Sequence, residues 1–413
     1  MNSSIFVPLK ERSFRRLFFA QVFSDFGNWL DFTALAVLVA YHWKMGPGAI
    51  AALTIAVGIP WVLVGPFASV WTDRLPRKKI MIICDFLRAV IAIGLIWTPN
   101  LPLLLVLVFL KSSVGALFDP AKQAAIRSIV PEVHLPQANS LSQLSSNSSK
   151  IIAPALGGLL IAVWGPRSPF ILETVAFLIS AFLLTRCFIP FVNQASNFKS
   201  DNSLKQFWFE LMEGWKHILS NRILLISIGL VSLLLFFVFL YDGLLVLLSQ
   251  SLGLSEATYG FLISAVGFGS VAGSLVFGQW NQWKENPIRL MVATTIISGV
   301  LILLFGLGGT GFLQIGVLMW IMIAFFIGVS GSAAMVPYGY ILQIQTPESL
   351  MGRVSASANA FQNGSMLVAP ALGAILAKWV GVGMVFLLAG IAILLAGIIT
   401  SFFVPRVFNK TWN

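Results

Sequence analysis

Residues 147–157, NSSKIIAPALG, return at 363–373 as NGSMLVAPALG. Each stretch follows a Pro-Glu pair (Pro131-Glu132, Pro347-Glu348) and precedes a glycine (Gly165, Gly381), and every matched pair is offset by 216 residues. A single ALG match could arise by chance in so apolar a chain, but a colinear set across 35 positions does not. The chain therefore reads as a parallel duplication. Two parallel six-helix halves with a substrate site between them at the bilayer midplane are one recurrent transporter plan.

Composition sets the solvent of this fold. Hydrophobic residues make up 58% of the 413 and charged residues only 10%, against about 45–50% and about 25% in soluble domains. With mean hydropathy +0.90, a soluble enzyme, a disordered chain and a secreted disulfide scaffold are excluded. Crossing about 30 Å of hydrocarbon takes about 20 apolar residues. Twelve runs qualify, the first near 14–41, the second near 48–72, the sixth near 168–190 and the last near 382–404. The expected fold is an all-α membrane protein with twelve transmembrane helices in two six-helix halves, 1–190 and 222–413. Between them, residues 191–221 are polar and then amphipathic, with Phe207, Leu211, Trp215 and Ile218 on one stripe. That stripe predicts a helix lying at the cytoplasmic membrane interface.

Basic residues orient the chain. Twenty of the 26 fall on the side that holds both termini, against three (Lys44, Arg167, Lys378) on the other, while Arg88, Lys111 and Lys150 lie within spans. The positive-inside rule then puts both termini in the cytoplasm of a multi-pass protein of the bacterial plasma membrane. It also removes nucleic acid as the reason for the +11 net charge. No cleavable signal peptide is visible, because the first apolar run is too long for an h-region. Cys84 and Cys187 lie far apart in apolar runs and read as buried thiols, and three isolated histidines provide no metal site. No Walker motif points to ATP. No cofactor is expected.

The loop after span 2, Gly65 to Lys79 (GPFASVWTDRLPRKK), resembles the signature loop of the major facilitator superfamily. The match covers Asp73, Arg74, Arg77 and Lys78, with Ser69 and Pro76 departing from the usual pattern. By that resemblance Asp73 faces the start of span 11, about Val354, as a gate latch. A carboxylate at a helix N-terminus contributes roughly 0.3–1 kcal/mol. Span 5 carries Ser149, Ala153, Pro154, Gly157 and Gly158, similar to the helix-packing motif of the superfamily's antiporters, and Pro370 and Gly373 are its echo in span 11. Lys111 and Gly115 are similar to an Arg-x-x-x-Gly feature linked to proton transfer, with Lys in place of Arg. Residues 14–163 look like the exporter branch that contains macrolide efflux pumps and the enterobactin exporter. Lysophospholipid transporters share much of the pattern.

Charges within spans are the sharpest single-residue signals, since each costs about 2.5–3.5 kcal/mol at the bilayer centre. Span 1 carries Asp25, Asn28 and Asp31 within one arc, and span 5 carries Gln143, Asn147 and Lys150 on one face. Span 11 keeps Asn359 and Asn363 but has Met366 in place of Lys150. Asp31 and Lys150 are expected to pair, either as a proton-coupling site or as a structural lock. Asp85 and Arg88 read as a structural i,i+3 pair, and Glu173 as a carboxylate near the external interface within reach of water. Asp242 reads as an external gate contact or a rim residue. Trp29, Phe118, Tyr241, Tyr338, Tyr340 and Phe361 are expected along the cavity, where rings could stack on substrate. The reading is a monomeric secondary transporter working by alternating access, exporting an amphipathic organic compound (a drug such as a macrolide, or a siderophore) against protons. A lipid or lysophospholipid translocator, coupled to sodium or uncoupled, is the alternative. A membrane enzyme lacks an acid/base cluster, and a sensor would carry an appended soluble domain.

Overall fold

The computed structural model describes residues 6–64, 75–190, 203–347 and 350–408, with backbone alone for 203–211, 281, 361, 363 and 403–408. Ten of its helices are long and apolar enough to cross a membrane. In chain order the helices are α1 (Arg12–Val37, continued by a π turn to His42), α2 (Pro47–Leu63), α3 (Arg77–Ile96), α4 (Leu101–Ile129), α5 (Leu135–Trp164), α6 (Ser168–Thr185), α7 (Ser203–Ser220), α8 (Arg222–Asp242), α9 (Leu245–Ser251), α10 (Glu256–Gln279), α11 (Pro287–Gly309), α12 (Val317–Gln345), α13 (Met351–Val380) and α14 (Val382–Phe408). The remaining two predicted spans are α2, whose predicted end lies outside the described residues, and α3, which is rich in charge.

Helix α3 shows why charge is compatible with spanning here. Ile83, Phe86, Leu87, Val90 and Ile93 are exposed along one stripe, while Cys84, Asp85, Arg88 and Ala92 are buried on the other. Its apolar face points outward, as a lipid-facing helix requires, and its polar face points into protein.

The chain groups into two compact units. The first comprises residues 1–45, 52–198 and 255–264, and the second 46–51, 199–254 and 265–413. In the first unit α1 packs on α5 and α6, and α3 on α4 and α6. In the second, α11 and α14 share the most extensive seam. Gly299 and Gly390 there approach the opposing backbone at Leu394 and Leu303, each leaving 2.6 Å from a notional Cβ to the partner nitrogen. Small residues are what allow such approach.

The duplication is geometric as well as textual. Helices α5 and α13 each span 30 residues, and both of their ends are offset by 216. Both stop at a left-handed glycine, Gly165 (φ 86°) and Gly381 (φ 88°), a backbone that side-chain-bearing residues seldom adopt. Gly157 lies against the Leu30 carbonyl of α1, and Gly373 against the Leu240 carbonyl of α8. Pro154 and Pro370 are buried inside their helices.

The linker helix differs from expectation. The stripe predicted to lie on the membrane packs, at Trp215 and Ile218, against Ile223, Ile341, Val354 and Ala358 of the second unit. Gly214 abuts the Arg353 carbonyl and Ser357, and Glu213 pairs with Arg353. Asn221 caps α8 through Ile223 N–H (3.0 Å) and donates to Gln345 (3.0 Å). An apolar stripe buries itself in protein as readily as in lipid, and the stripe alone does not choose. The side chains of Phe207 and Leu211 lie outside the described residues.

Candidate functional site

Lys111, Gly115, Phe118 and Lys122 recur at i, i+4, i+7 and i+11 on α4, which places them on one face. Three groups of charges meet that face. At Lys111, the ammonium pairs with both Asp31 of α1 and Glu173 of α6. All three side chains are buried. Glu173 is fully enclosed, and its second oxygen has no hydrogen-bond partner among the described residues.

Next along α4, Gly115 makes room for Arg88, whose Nη2 would lie 3.2 Å from a Cβ placed there. The Arg88 guanidinium lies over the rings of Phe118 (4.7 Å) and Phe177 (5.5 Å). It donates to Ser24 (3.2 Å) and Asp85 (3.4 Å), and Ser24 and Ser180 both donate to Asp85. Within a protein interior such pairing and hydrogen bonding offset the cost of removing charge from water.

At the third position, Lys122 pairs with Asp119 at 2.9 Å and reaches Asp25 at 4.0 Å. Asp25 also accepts from Gln21 (3.1 Å) and Ser145 (2.8 Å). Ser142 donates to Gln21 at 2.9 Å. This α1–α5 seam separates two openings. One is a polar cleft of about 550 Å³ among α1, α4 and α5, whose lining includes Gln21, Asp119, Lys122 and Gln143. The other is an apolar groove of about 430 Å³, lined by Phe18, Phe23, Phe26, Leu144 and Ile152.

Several expectations are corrected by this geometry. Asp31 pairs with Lys111 and not with Lys150. The ammonium of Lys150 lies 5.3 Å over the Trp29 ring, a cation–π contact, with no carboxylate at ion-pair distance among the described residues. Glu173 is sealed inside the unit rather than reached by external water. It sits only five residues into α6, but α1 covers it: Gly27 lies 3.6 Å from the Glu173 side chain on the same measure. Phe118 is a buried platform beneath Arg88 and Lys122, and Tyr241 is a core residue packed on Phe386 at 4.9 Å. Neither ring is free to line a cavity.

The remaining predicted residues are placed as follows. Asn28, Asn147 and Gln143 are exposed, and Trp29 and Tyr338 are half-buried, with Gln362 donating to the Tyr338 hydroxyl at 3.2 Å. Tyr340 packs on Trp283 at 5.3 Å. Phe361 and Asn363 have side chains outside the described residues, as do Asp73 and Arg74 of the gate loop altogether. The last two members of that loop act as staples. Arg77 donates to the Ala124 carbonyl of α4 (3.0 Å), and Lys78 to the Thr185 carbonyl that ends α6 (2.8 Å), where a cation also complements the helix dipole. Cys84 and Cys187 are free and buried. Gly158 meets Ala257 and Gly260 at the start of α10.

Comparison with known proteins agrees with this architecture. The family model described as Major Facilitator Superfamily matches residues 17–363 and 233–413. An uncharacterized MFS-type transporter of Bacillus subtilis, YkuC, is 30% identical over 85% of this chain and 82% of its own. The putative bacilysin exporter BacE of Bacillus subtilis is 26% identical over 96% and 95%. Macrolide efflux protein A of Streptococcus pyogenes is 25% identical over 88% and 90%. Among solved structures, a bacterial homolog of the human lysosomal transporter Spinster superposes with TM-score 0.69 at 13% identity, covering 98% of each chain, a likeness of fold alone. Duplicated halves of membrane-spanning helices, a charged face buried within the first, and a family match across nearly the whole length lead to one statement: the chain belongs to the Major Facilitator Superfamily of membrane transporters, and is not an enzyme.

Proposed function

We propose that the protein exports an amphipathic organic compound across the bacterial plasma membrane in exchange for protons, by alternating access, with Asp31, Lys111 and Glu173 as the coupling site. The observation that carries this reading is the two-to-one ratio of that cluster. Two carboxylates share one ammonium inside a membrane protein, leaving the group one proton short of neutrality. Buried net charge is costly, so a single proton bound here neutralises the cluster, and its release restores the charge. A change of conformation that alters how tightly α1, α4 and α6 enclose the cluster therefore alters its hold on that proton. Export as the direction is supported by the likeness to two relatives, a macrolide efflux protein and a putative bacilysin exporter.

A second reading, a lipid or lysophospholipid translocator, is favoured by the apolar groove between α1 and α5, which three phenylalanines line on one wall. One experiment separates the two. Purified protein is reconstituted in liposomes with an internal pH dye, and gradients of a macrolide, a catecholate siderophore and a lysophospholipid are imposed in turn. Substrate-dependent proton movement that is lost in Asp31→Asn supports proton exchange. Lysophospholipid movement without a proton signal supports the translocator and makes the cluster a structural lock.

A further inference from the structure

We infer that the polar cleft among α1, α4 and α5 binds a zwitterion: a compact molecule with a cationic group at one end and an anionic group at the other. The inference rests on the transporter reading for its purpose but not for its evidence. Two residues of α4 provide the poles. Asp119 is 39% exposed at its side chain, while its partner Lys122 is 13% exposed and already lies between two carboxylates, Asp119 and Asp25. Lys122 is thus spoken for, and Asp119 keeps an accessible face in the cleft. Eight residues further on, Arg127 also lines the cleft, is exposed, and has no carboxylate at ion-pair distance among the described residues. A guanidinium with no partner is the natural seat for a carboxylate or phosphate.

The spacing limits what fits. At 1.5 Å rise per residue, Asp119 and Arg127 stand about 12 Å apart along the helix axis. A molecule of two to three extended residues spans about 7–11 Å. Besides the charged groups and the apolar Ile126 and Leu135, the lining is amide and hydroxyl, with Gln21, Gln123 and Gln143 among them, groups that both donate and accept and so suit a polar backbone. No aromatic ring lines the cleft, so stacking on a flat hydrophobic ligand is not what it offers. An uncharged ligand would leave both poles unanswered, and a singly charged one would leave one.

The test is direct binding to the purified full chain in detergent, by calorimetry, with three probes: trialanine, its N-acetyl derivative (anion only) and its C-terminal amide (cation only). Each charged contact retained or lost is expected to change affinity about tenfold, equivalent to about 1.4 kcal/mol. Trialanine should bind at least tenfold more tightly than either capped form. Asp119→Asn should remove the preference over the N-acetyl form, and Arg127→Gln, at an exposed site, the preference over the amide. Equal binding of all three probes, binding of the N-acetyl form alone as at a simple anion site, or no detectable binding would overturn the inference. So would preferences unchanged in Arg127→Gln, which does not depend on Asp119→Asn folding. Since binding is read without transport, zwitterion binding with no flux in liposomes would instead refute the export reading and leave this one standing.

Discussion

Replacing Asp31 by Asn leaves Lys111 with one carboxylate, Glu173, and replacing Glu173 by Gln leaves it with Asp31. Either change produces a one-to-one pair, neutral as it stands, so each single variant is expected to fold with a stability loss of no more than about 1 kcal/mol. That is the scale of one net hydrogen bond. Changing both removes every carboxylate from a buried ammonium, and breaking a buried pair in this way costs about 3–5 kcal/mol. Lys111→Met is expected to be equally severe, because it sets two carboxylates side by side with no cation between them. The assay is thermal denaturation in detergent followed by size-exclusion chromatography, run beside the liposome proton measurement. The expected pattern is that both single variants remain folded and lose substrate-linked proton movement, while the double variant and Lys111→Met lose fold. If either single variant destabilises the protein as much as the double, the one-proton-short account of the cluster is wrong. If proton movement survives in both single variants, the cluster is structural.

Further outcomes follow from the packing. Lys150→Met, which copies Met366 of the duplicate helix, should keep proton movement, since Lys150 contacts Trp29 rather than Asp31; its loss in the liposome assay would return Lys150 to the coupling site. Gly373→Ala should destabilise the second unit more than Gly157→Ala destabilises the first. The added Cβ meets the Leu240 carbonyl oxygen and carbon (3.0 Å) closely, against 3.3 Å to the Leu30 oxygen; equal melting shifts would contradict this. Gly214→Leu should push α7 off α13 and speed tryptic cleavage within 203–222, whereas Glu213→Ala, which breaks a half-exposed ion pair, should change stability by about 0–1 kcal/mol. Identical digestion rates for Gly214→Leu and the unmodified protein would argue against that docking.

The helices and the duplication were legible because both depend on quantities written along the chain: run length, and an offset of 216 that survives in α5 and α13 to the residue. The polar faces of α1 and α5 were legible too, from the 100° step of the helix. Which charge meets which was not. A helical wheel gives the direction of Asp31 but not the identity of the helix opposite, and α4 with Lys111 occupies that place instead of α5 with Lys150. The signal that could have found it was the run Lys111, Gly115, Phe118, Lys122, one face in which a missing Cβ makes space for Arg88. Glu173 was misjudged because nearness to a helix end was read as nearness to water, although α1 seals it. Trp215 and Ile218 show the same limit, since amphipathicity does not distinguish a lipid surface from a protein one.

The paired helices α5 and α13 also record a history. They retain the same length, the same proline, the same glycine contact and the same terminating glycine, yet the lysine of one is a methionine in the other. The two copies share the scaffold, while this ionic position stands in only one of them. The proposed coupling cluster, Asp31, Lys111 and Glu173, lies wholly in the first half, so chimeras that join the first half of this chain to the second half of a relative should inherit their energy source from the first parent, leaving the second half free to diverge toward new cargo.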